Sequence, residues 1–272
     1  MVDFSVLMSI YFREQAELFD KSLESILISQ TVKPSELVLV ADGQLTRDLY
    51  YIIDKYKKVF PNFKVVQLPI NMGLGKALNE GLKHCSCEWI ARMDSDDISL
   101  PNRFEKQISC IDKNPDIQVV GSWISEFVEN PNDIVSVKKV PETQHEIYIY
   151  AQGRNPMNHP VVFFKKSEVL RVGGYEHCPM FEDYWLWVRL LNNRDQFYNI
   201  QESLLLFRAN NLMYERRGGW DYVRYEYRFF NKARHIQFIT TFIFFKNLMI
   251  RLGFRLVPNK IRALLYKKIL RK

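Results

Sequence analysis

The sequence predicts an α/β fold, a mostly parallel central sheet flanked by helices, and three observations carry that prediction. Short apolar runs of strand-forming residues alternate with helical patterns of about 10–15 residues through the first ~100 positions, as right-handed crossovers between parallel strands require. The fourth run, Glu88 to Met93, ends directly in Asp94-Ser-Asp-Asp97, and open α/β sheets bind ligands at the carboxyl ends of their strands. Finally, 272 residues with 47% hydrophobic and 25% charged content describe a globular chain with a well-buried core, which excludes disordered and fibrous classes.

The elements follow in order. Phe4 to Ile10 is a short apolar run of strand formers. Leu18, Leu23, Ile26 and Leu27 recur at helical spacing in a helix expected to end near Gln30. Leu37 to Val40 is a second strand, stopping at Asp42-Gly43, and Leu49 to Phe60 a helix closed off by Pro61. Lys64 to Leu68 forms a third strand, followed by the loop Pro69 to Gly75, a helix over Lys76 to His84 and the strand over Glu88 to Met93. A helix over Arg103 to Asp112 follows Pro101, then a longer strand, Val119 to Val128, and a turn with an edge strand between Asn130 and Val140. Asn155 to Pro160 reads as a loop, Val161 to Phe164 as a strand, Gly173-Gly174 as a turn, and Phe181 to Leu191 as a helix carrying Glu182 and Asp183 in its first turn. No internal repeat is present.

The net charge of +7 conceals an asymmetry. From Arg208 to Lys272 there are 16 Lys/Arg against 3 Asp/Glu, and no acidic residue follows Glu226; the preceding residues carry 22 basic and 28 acidic side chains. Composition therefore changes near Arg208 to Gly219, which divides the chain into residues 1–210 and a basic, aromatic, helical C-terminal region, 211–272. Three readings of that region stay open: contact with an anionic membrane surface, a solvated helical tail, and nucleic-acid binding. The membrane surface is favoured. The apolar run Ile236 to Phe245 is broken by Lys246, well short of the ~20 apolar residues that a spanning helix needs. The N-terminus lacks a basic n-region and cleavage site, so no signal peptide is expected. Cys85, Cys87, Cys110 and Cys178 lack zinc-site spacing and read as reduced structural thiols.

Three strand ends, Ser9-Ile-Tyr11, Asp42-Gly43 and Asn71-Met-Gly-Leu-Gly75, converge on one sheet edge, where a nucleotide would lie. Asp42 can accept a hydrogen bond from a base and Gly43 permits close approach, although Asp-Gly is equally a common turn dipeptide. Neither familiar phosphate fingerprint is satisfied. A dinucleotide motif needs a small residue where Leu78 stands, and a P-loop needs glycine at Ile70 and Ser or Thr at Ala77. What remains is a turn opening a helix, with Lys76 available to an anion. The crowded carboxylates of Asp94, Asp96 and Asp97 point to a divalent cation, with helix capping by Asp97 as the alternative. Glu182-Asp183 lies among Phe181, Tyr184, Trp185 and Trp187, where partial desolvation makes a good general base and the rings offer a platform for a sugar face. Asp183 is also a favourable first-turn helix residue. His159 reads as a polar contact or a buried loop histidine.

Taken together, Ser5 to Tyr11, Ala41-Asp-Gly43, Asn71 to Asn79, Arg92 to Asp97, Pro101-Asn-Arg103, Asn155 to Pro160, Gly173-Gly-Tyr175 and Glu182-Asp183 resemble the family 2 glycosyltransferases, inverting enzymes of GT-A fold, over roughly residues 3–210. Within that family the chain looks most like bacterial enzymes of surface-polysaccharide assembly. The resemblance implies a nucleotide-sugar half, 1–110, and an acceptor half, 111–210. It implies that Asp42 contacts uracil with Ser9 and Tyr11 nearby, and that Asn71, Gly73, Lys76, Arg92, Asp94 and Ser95 complete the nucleotide-sugar site. Asp94 and Asp96 form the DxD motif, Asp96 ligating Mn²⁺ or Mg²⁺ and Asp94 shared between metal and ribose or sugar. Asp183 is the implied base on the acceptor hydroxyl, with His159, Glu182 and Trp185 toward the acceptor. The Gln-x-x-Arg-Trp signature and membrane spans of processive members are absent from the sequence, which argues for single addition.

The expectation is a metal-dependent transferase that adds one hexose, galactose in β1,3 linkage being the specific choice. The donor is a UDP-sugar and the acceptor a polyprenyl-diphosphate-linked N-acetylhexosamine, at the inner face of the bacterial plasma membrane. UDP-glucose or UDP-N-acetylglucosamine as donor, and a non-lipid acceptor, are alternatives within the family. Outside it stand a sugar nucleotidyltransferase, which usually has a Gly-rich basic loop near the N-terminus, and a non-catalytic membrane-associated scaffold. No nucleic-acid partner is expected.

Overall fold

The computed structural model describes residues 2–209 and 219–255; residues 210–218, at the compositional boundary, and 256–272, the end of the basic region, lie outside the described residues. Nine strands among the described residues form one sheet: β1 (Phe4–Ile10), β2 (Glu36–Ala41), β3 (Phe63–Gln67), β4 (Trp89–Met93), β5 (Ile98–Ser99), β6 (Ile117–Phe127), β7 (Ser136–Lys138), β8 (Phe163–Lys165) and β9 (Gln196–Arg208). Their order is β3-β2-β1-β4-β8-β6-β9-β5, with β7 beside β6. β1 pairs in parallel with β2 and β4, and β2 with β3, while β8 runs antiparallel to both β4 and β6. β9 is parallel to β6, so β1, β2, β3, β4, β6 and β9 all point one way. The expected mostly parallel sheet is present.

Alternation along the strands builds two cores. Phe4, Val6, Met8 and Ile10 of β1 face one side, where they meet Phe19 and Leu23 of α1 (Ala16–Leu27), Leu49 and Ile52 of α2 (Arg47–Val59) and Phe104 of α4 (Arg103–Lys113). Leu7, Val38, Val40 and Ile90 face the other side. There they pack on Leu78 and Leu82 of α3 (Leu74–His84), Ile147 of α5 (Gln144–Ala151) and Leu186 and Trp187 of α7 (Glu182–Asn192). The short α6 (Lys166–Arg171) follows β8. Ala91 and Met93 belong to the first core, so on β4 Arg92 must face the second, on the same side as Asp94.

Two C-terminal helices complete the second core. Phe229 and Phe230 of α8 (Gly219–His235), then Phe238, Ile239 and Phe244 up to α9 (Thr241–Arg255), are buried in it. Tyr184 and Phe229 rings lie 4.2 Å apart.

Several boundaries differ from expectation. Helix α1 stops at Leu27, and the Gln30 side chain instead donates to Ser25 O and Leu100 O. The strand expected from Val161 begins at Phe163, because His159–Val161 forms a 3-10 turn with proline near its start. The 13-residue β9 lies where the sequence suggested no element, its pairing with β6 interrupted by register shifts near Ser122 and Trp123 that break the two-residue period.

Candidate active site

The strand ends converge as anticipated, but by contacts that were not legible. Asp42, at the end of β2, is buried and accepts from the backbone amides of Met72 (2.6 Å) and Gly73 (3.0 Å). It thereby ties the loop before α3 to the sheet edge and retains only its remaining lone pairs for another partner. Gly43 sits at φ +88°, and a Cβ there would come 2.8 Å from Asn71 N, so this turn requires glycine. Ser9 and Tyr11 are partly exposed at the end of β1, and Asn71 and Lys76 are exposed beside the same edge.

The acidic cluster is asymmetric. Asp94 forms an ion pair with Arg92, and its carbonyl accepts from the Ser22 hydroxyl at 2.8 Å. Asp96 is partly buried; burial and then the Asp94 charge push its carboxyl up to about 6. Asp97 is fully buried and accepts from the Arg208 amide at 2.8 Å, while its other oxygen has no partner among the described residues. It is not a helix cap. Residues 98–99 form β5 against β9, and Asp97 anchors the end of β9 to the acidic loop. Burial, then Asp94 and Asp96, raise its carboxyl well above the ordinary range. The Arg208 side chain donates to Asp96 O and lies 4.5 Å over the Phe127 ring.

Arg92 is the least satisfied group here. It is fully buried, and its three guanidinium nitrogens have no aligned hydrogen bond among the described residues, the ion pair with Asp94 being close but poorly directed. Buried N–H groups left in this way call for a ligand or ordered water.

Two other residues were missed. Glu14, in the turn before α1, lies beside Ser95 and faces Asp96 and Asp94; burial and those two charges raise it to about 7. Nothing in a polar turn residue signals that position. Tyr175 is buried between the two halves of the site: its hydroxyl is 3.0 Å from His159 Nε2, and the charges of Arg92, Asp183 and Asp94 all reach it. Asn79 holds its backbone with two hydrogen bonds, 2.7 and 2.8 Å, made where Gly174 at φ +68° lets the chain pass against the Asn79 amide. His159, beneath Tyr175, is held well below its ordinary value by burial and then by Arg92, so its imidazole is neutral near pH 7.

Asp183 and Glu182 open α7, opposite the acidic cluster. A Cβ on Gly75 would lie 3.5 Å from both Glu182 Cγ and Tyr175 Cβ, so the N-termini of α3 and α7 abut. Burial, and then Asp183, raise the Glu182 carboxyl. Asn155 Nδ2 donates to Asp183 Oδ2 at 2.7 Å, while Asn155 Oδ1 accepts from Met157 N at 3.2 Å, which fixes the orientation of the amide. The aromatic platform is different from expectation. Trp185 is buried, donates to Glu176 and packs edge-on to Phe229 of α8, leaving no ring face for a sugar.

The donor set suits a hard dication that also binds substrate oxygens. No group of three or more His, Cys, Asp or Glu that could hold a metal occurs among the described residues, but Mg²⁺-type sites use one or two carboxylates plus phosphates. The crowded Asp94 and Asp96 could provide those two.

Comparison with known proteins gives the family. The description "Glycosyl transferase family 2" matches residues 5–170. An Escherichia coli UDP-Gal:alpha-D-GlcNAc-diphosphoundecaprenol beta-1,3-galactosyltransferase is 39% identical over 273 residues, spanning 99% of this chain and 97% of that protein. The Erwinia amylovora amylovoran biosynthesis glycosyltransferase AmsE is 38% identical over 97% of this chain and 98% of its own. In structure the chain resembles a Pyrobaculum calidifontis mannosyltransferase solved with GDP-Man and Mn²⁺ (TM-score 0.65, 15% identity, 97% of this chain and 75% of that one). The chain therefore belongs to glycosyltransferase family 2 and is a glycosyltransferase of GT-A fold.

Proposed function

We propose that this protein transfers one galactose, with inversion, from UDP-galactose to the 3-hydroxyl of an N-acetylglucosamine carried on a polyprenyl diphosphate, in surface-polysaccharide assembly at the inner face of the plasma membrane. The observation that carries this reading is the abutment of two oppositely equipped halves, the Arg92–Asp94–Asp96 cluster and the Asn155–Asp183 pair, across the buried Tyr175. The galactosyl donor, lipid acceptor and linkage are those of the Escherichia coli relative, which aligns over nearly its whole length.

Each residue has a definable task. Asp42 and the loop it ties down hold the nucleotide edge, with Ser9, Tyr11, Asn71 and Gly73 around the base and ribose. Asp96, with Asp94, would hold Mn²⁺ or Mg²⁺; when bound, the ion supplies positive charge against the departing diphosphate. Arg92, buried behind Asp94, pairs with that carboxylate and adds positive charge behind the diphosphate, while Lys76 and Ser95 make the anion contacts. Asp183 accepts the proton of the acceptor hydroxyl as its oxygen attacks the anomeric carbon from the face opposite UDP, and the hydrogen bond from Asn155 orients the carboxylate for that transfer. Glu182, with its raised carboxyl, and neutral His159 through Tyr175 border the acceptor.

A panel of UDP-sugars with Mn²⁺ and a GlcNAc-α-diphosphate-lipid tests the reading. UDP-galactose should be the preferred donor, with Asp183→Asn and Asp96→Ala each folded and nearly inactive. Full activity in either variant removes that residue's role, and preference for another UDP-sugar removes galactose.

A further inference from the structure

We propose that the outward face of α9 is an interfacial membrane-docking surface, whose partner is an anionic lipid bilayer on which the helix lies flat. The proposal rests on the lipid-linked acceptor above and names the surface that brings the enzyme to it.

Helix α9 is apolar on the side where a surface helix is normally polar. Phe242 is 77% exposed, Phe245 56%, Met249 71% and Ile250 49%, and Lys246 is the one charged residue among them. At 100° per residue these five positions fall within an arc of about 140°. The opposite side is already used: Phe244 is buried in the core, and Arg251 pairs with the buried Glu226 and lies 4.8 Å over the Phe230 ring. The stripe is therefore surplus to folding, and a contiguous exposed apolar patch of this kind marks an interaction site.

Charge and length decide what covers it. The segment after Glu226 contains no acidic residue, and six of its basic residues lie in the sequence 256–272 that follows α9. A cationic chain with a Phe- and Met-bearing face complements anionic headgroups over an apolar interior; a protein partner would more often show paired charges. The helix has 15 residues, about 22 Å at 1.5 Å per residue, too short for a ~30 Å hydrocarbon core. No helix among the described residues is long and apolar enough to cross a membrane. Lying in the interface, with the Lys246 ammonium reaching back toward phosphate, satisfies both halves of the face.

The docking face is also braced to the acceptor side of the active site. Asn247 Nδ2 donates to Gln152 O at 2.7 Å and Arg251 to Gly153 O at 2.5 Å, two to three residues before Asn155, which holds Asp183. The plane of the bilayer and the position of the base are thus linked through one short segment, as an acceptor sugar presented at headgroup height requires.

The test uses the full chain and a triple variant, Phe242→Ser with Phe245→Ser and Met249→Ser, in flotation with vesicles of phosphatidylcholine alone or mixed equally with phosphatidylglycerol. Wild type should float with the mixed vesicles and not with the neutral ones, and the triple variant should lose about tenfold or more of that binding. Its thermal transition and its transfer to a short-chain, water-soluble acceptor should stay unchanged, while transfer to a vesicle-embedded acceptor drops. Flotation of the triple variant equal to wild type overturns the proposal. So does a wild-type dimer that the variant converts to monomer with vesicle binding unaltered, which would assign the face to a second copy. Loss of the transferase reading looks different: wild type would bind anionic vesicles yet transfer nothing to the soluble acceptor.

Discussion

Replacement of Asn155 by alanine removes one hydrogen bond to the proposed base. The side chain makes one contact to Asp183, at 2.7 Å from Nδ2 to Oδ2, and Met157 N fixes which way its amide points. A hydrogen bond to a charged group contributes about 1.5–3 kcal/mol, and here it favours the ionised base before proton transfer; what its loss costs the reaction is the aim of the carboxylate, a misplacement that lowers kcat by about 100-fold. The donor KM should stay as it is, because the proposed UDP site lies at the other strand ends. The sign of the pH effect follows from the same bond. A donor to the ionised carboxylate favours ionisation, so its removal makes the base protonate more readily and moves the acidic limb of the pH–rate profile upward, by about one to two pH units. Glu182, Tyr175, Cys178 and Tyr184 also face Asp183 and are untouched by the change. Asn155→Asp preserves shape but sets carboxyl against carboxyl, and should be no more active than Asn155→Ala near neutral pH. Steady-state kinetics across pH 5–9 measure all three quantities. An unchanged acidic limb with unchanged kcat in Asn155→Ala refutes the positioning argument.

Other perturbations probe the scaffold. Burial alone would raise the Glu36 carboxyl, but Lys64, Ser5 and the Ser86 amide outweigh it and hold the group at about 2, against 4.5 ordinarily. A depressed carboxylate stabilises the fold above its unfolded value and loses that contribution as pH falls. Urea unfolding should therefore show wild type ahead of Glu36→Gln by about 2–3 kcal/mol at pH 7, the gap closing between pH 4.5 and 2; a pH-independent gap contradicts the assignment. Gly174→Ala forces a Cβ to 2.4 Å from Asn79 Oδ1 at φ +68° and should cost about 1–3 kcal/mol in the same assay. Arg92→Lys keeps a charge but loses the fork of N–H groups, and should weaken UDP-galactose binding by about tenfold or more in calorimetry.

How much was legible in the sequence depended on range. The first ~110 residues could be read because their signals are local: short apolar runs of strand formers in β1, β2 and β4, helical spacing in α1 to α3, and carboxylates placed at a strand end. Long-range features were silent. Glu14 meets Ser95, Asn155 meets Asp183, and Asn79 clamps Tyr175 across 96 positions; no periodicity records such pairs. β9 was hidden because its bulged register with β6 disrupts alternation. Trp185 misled for the opposite reason, since aromatic residues near a carboxylate look alike in sequence whether they face a sugar or, as here, the underside of α8.

The anomeric configuration of the product tests the central claim most directly. Proton NMR of the disaccharide formed from UDP-α-galactose and a GlcNAc-α-diphosphate-lipid, with Mn²⁺ present, reads both linkage position and anomer. The account predicts a β-galactosyl bond to the 3-hydroxyl, lost together with UDP release in Asp183→Asn. An α-linked product, or the β product formed at the wild-type rate by Asp183→Asn, would contradict it.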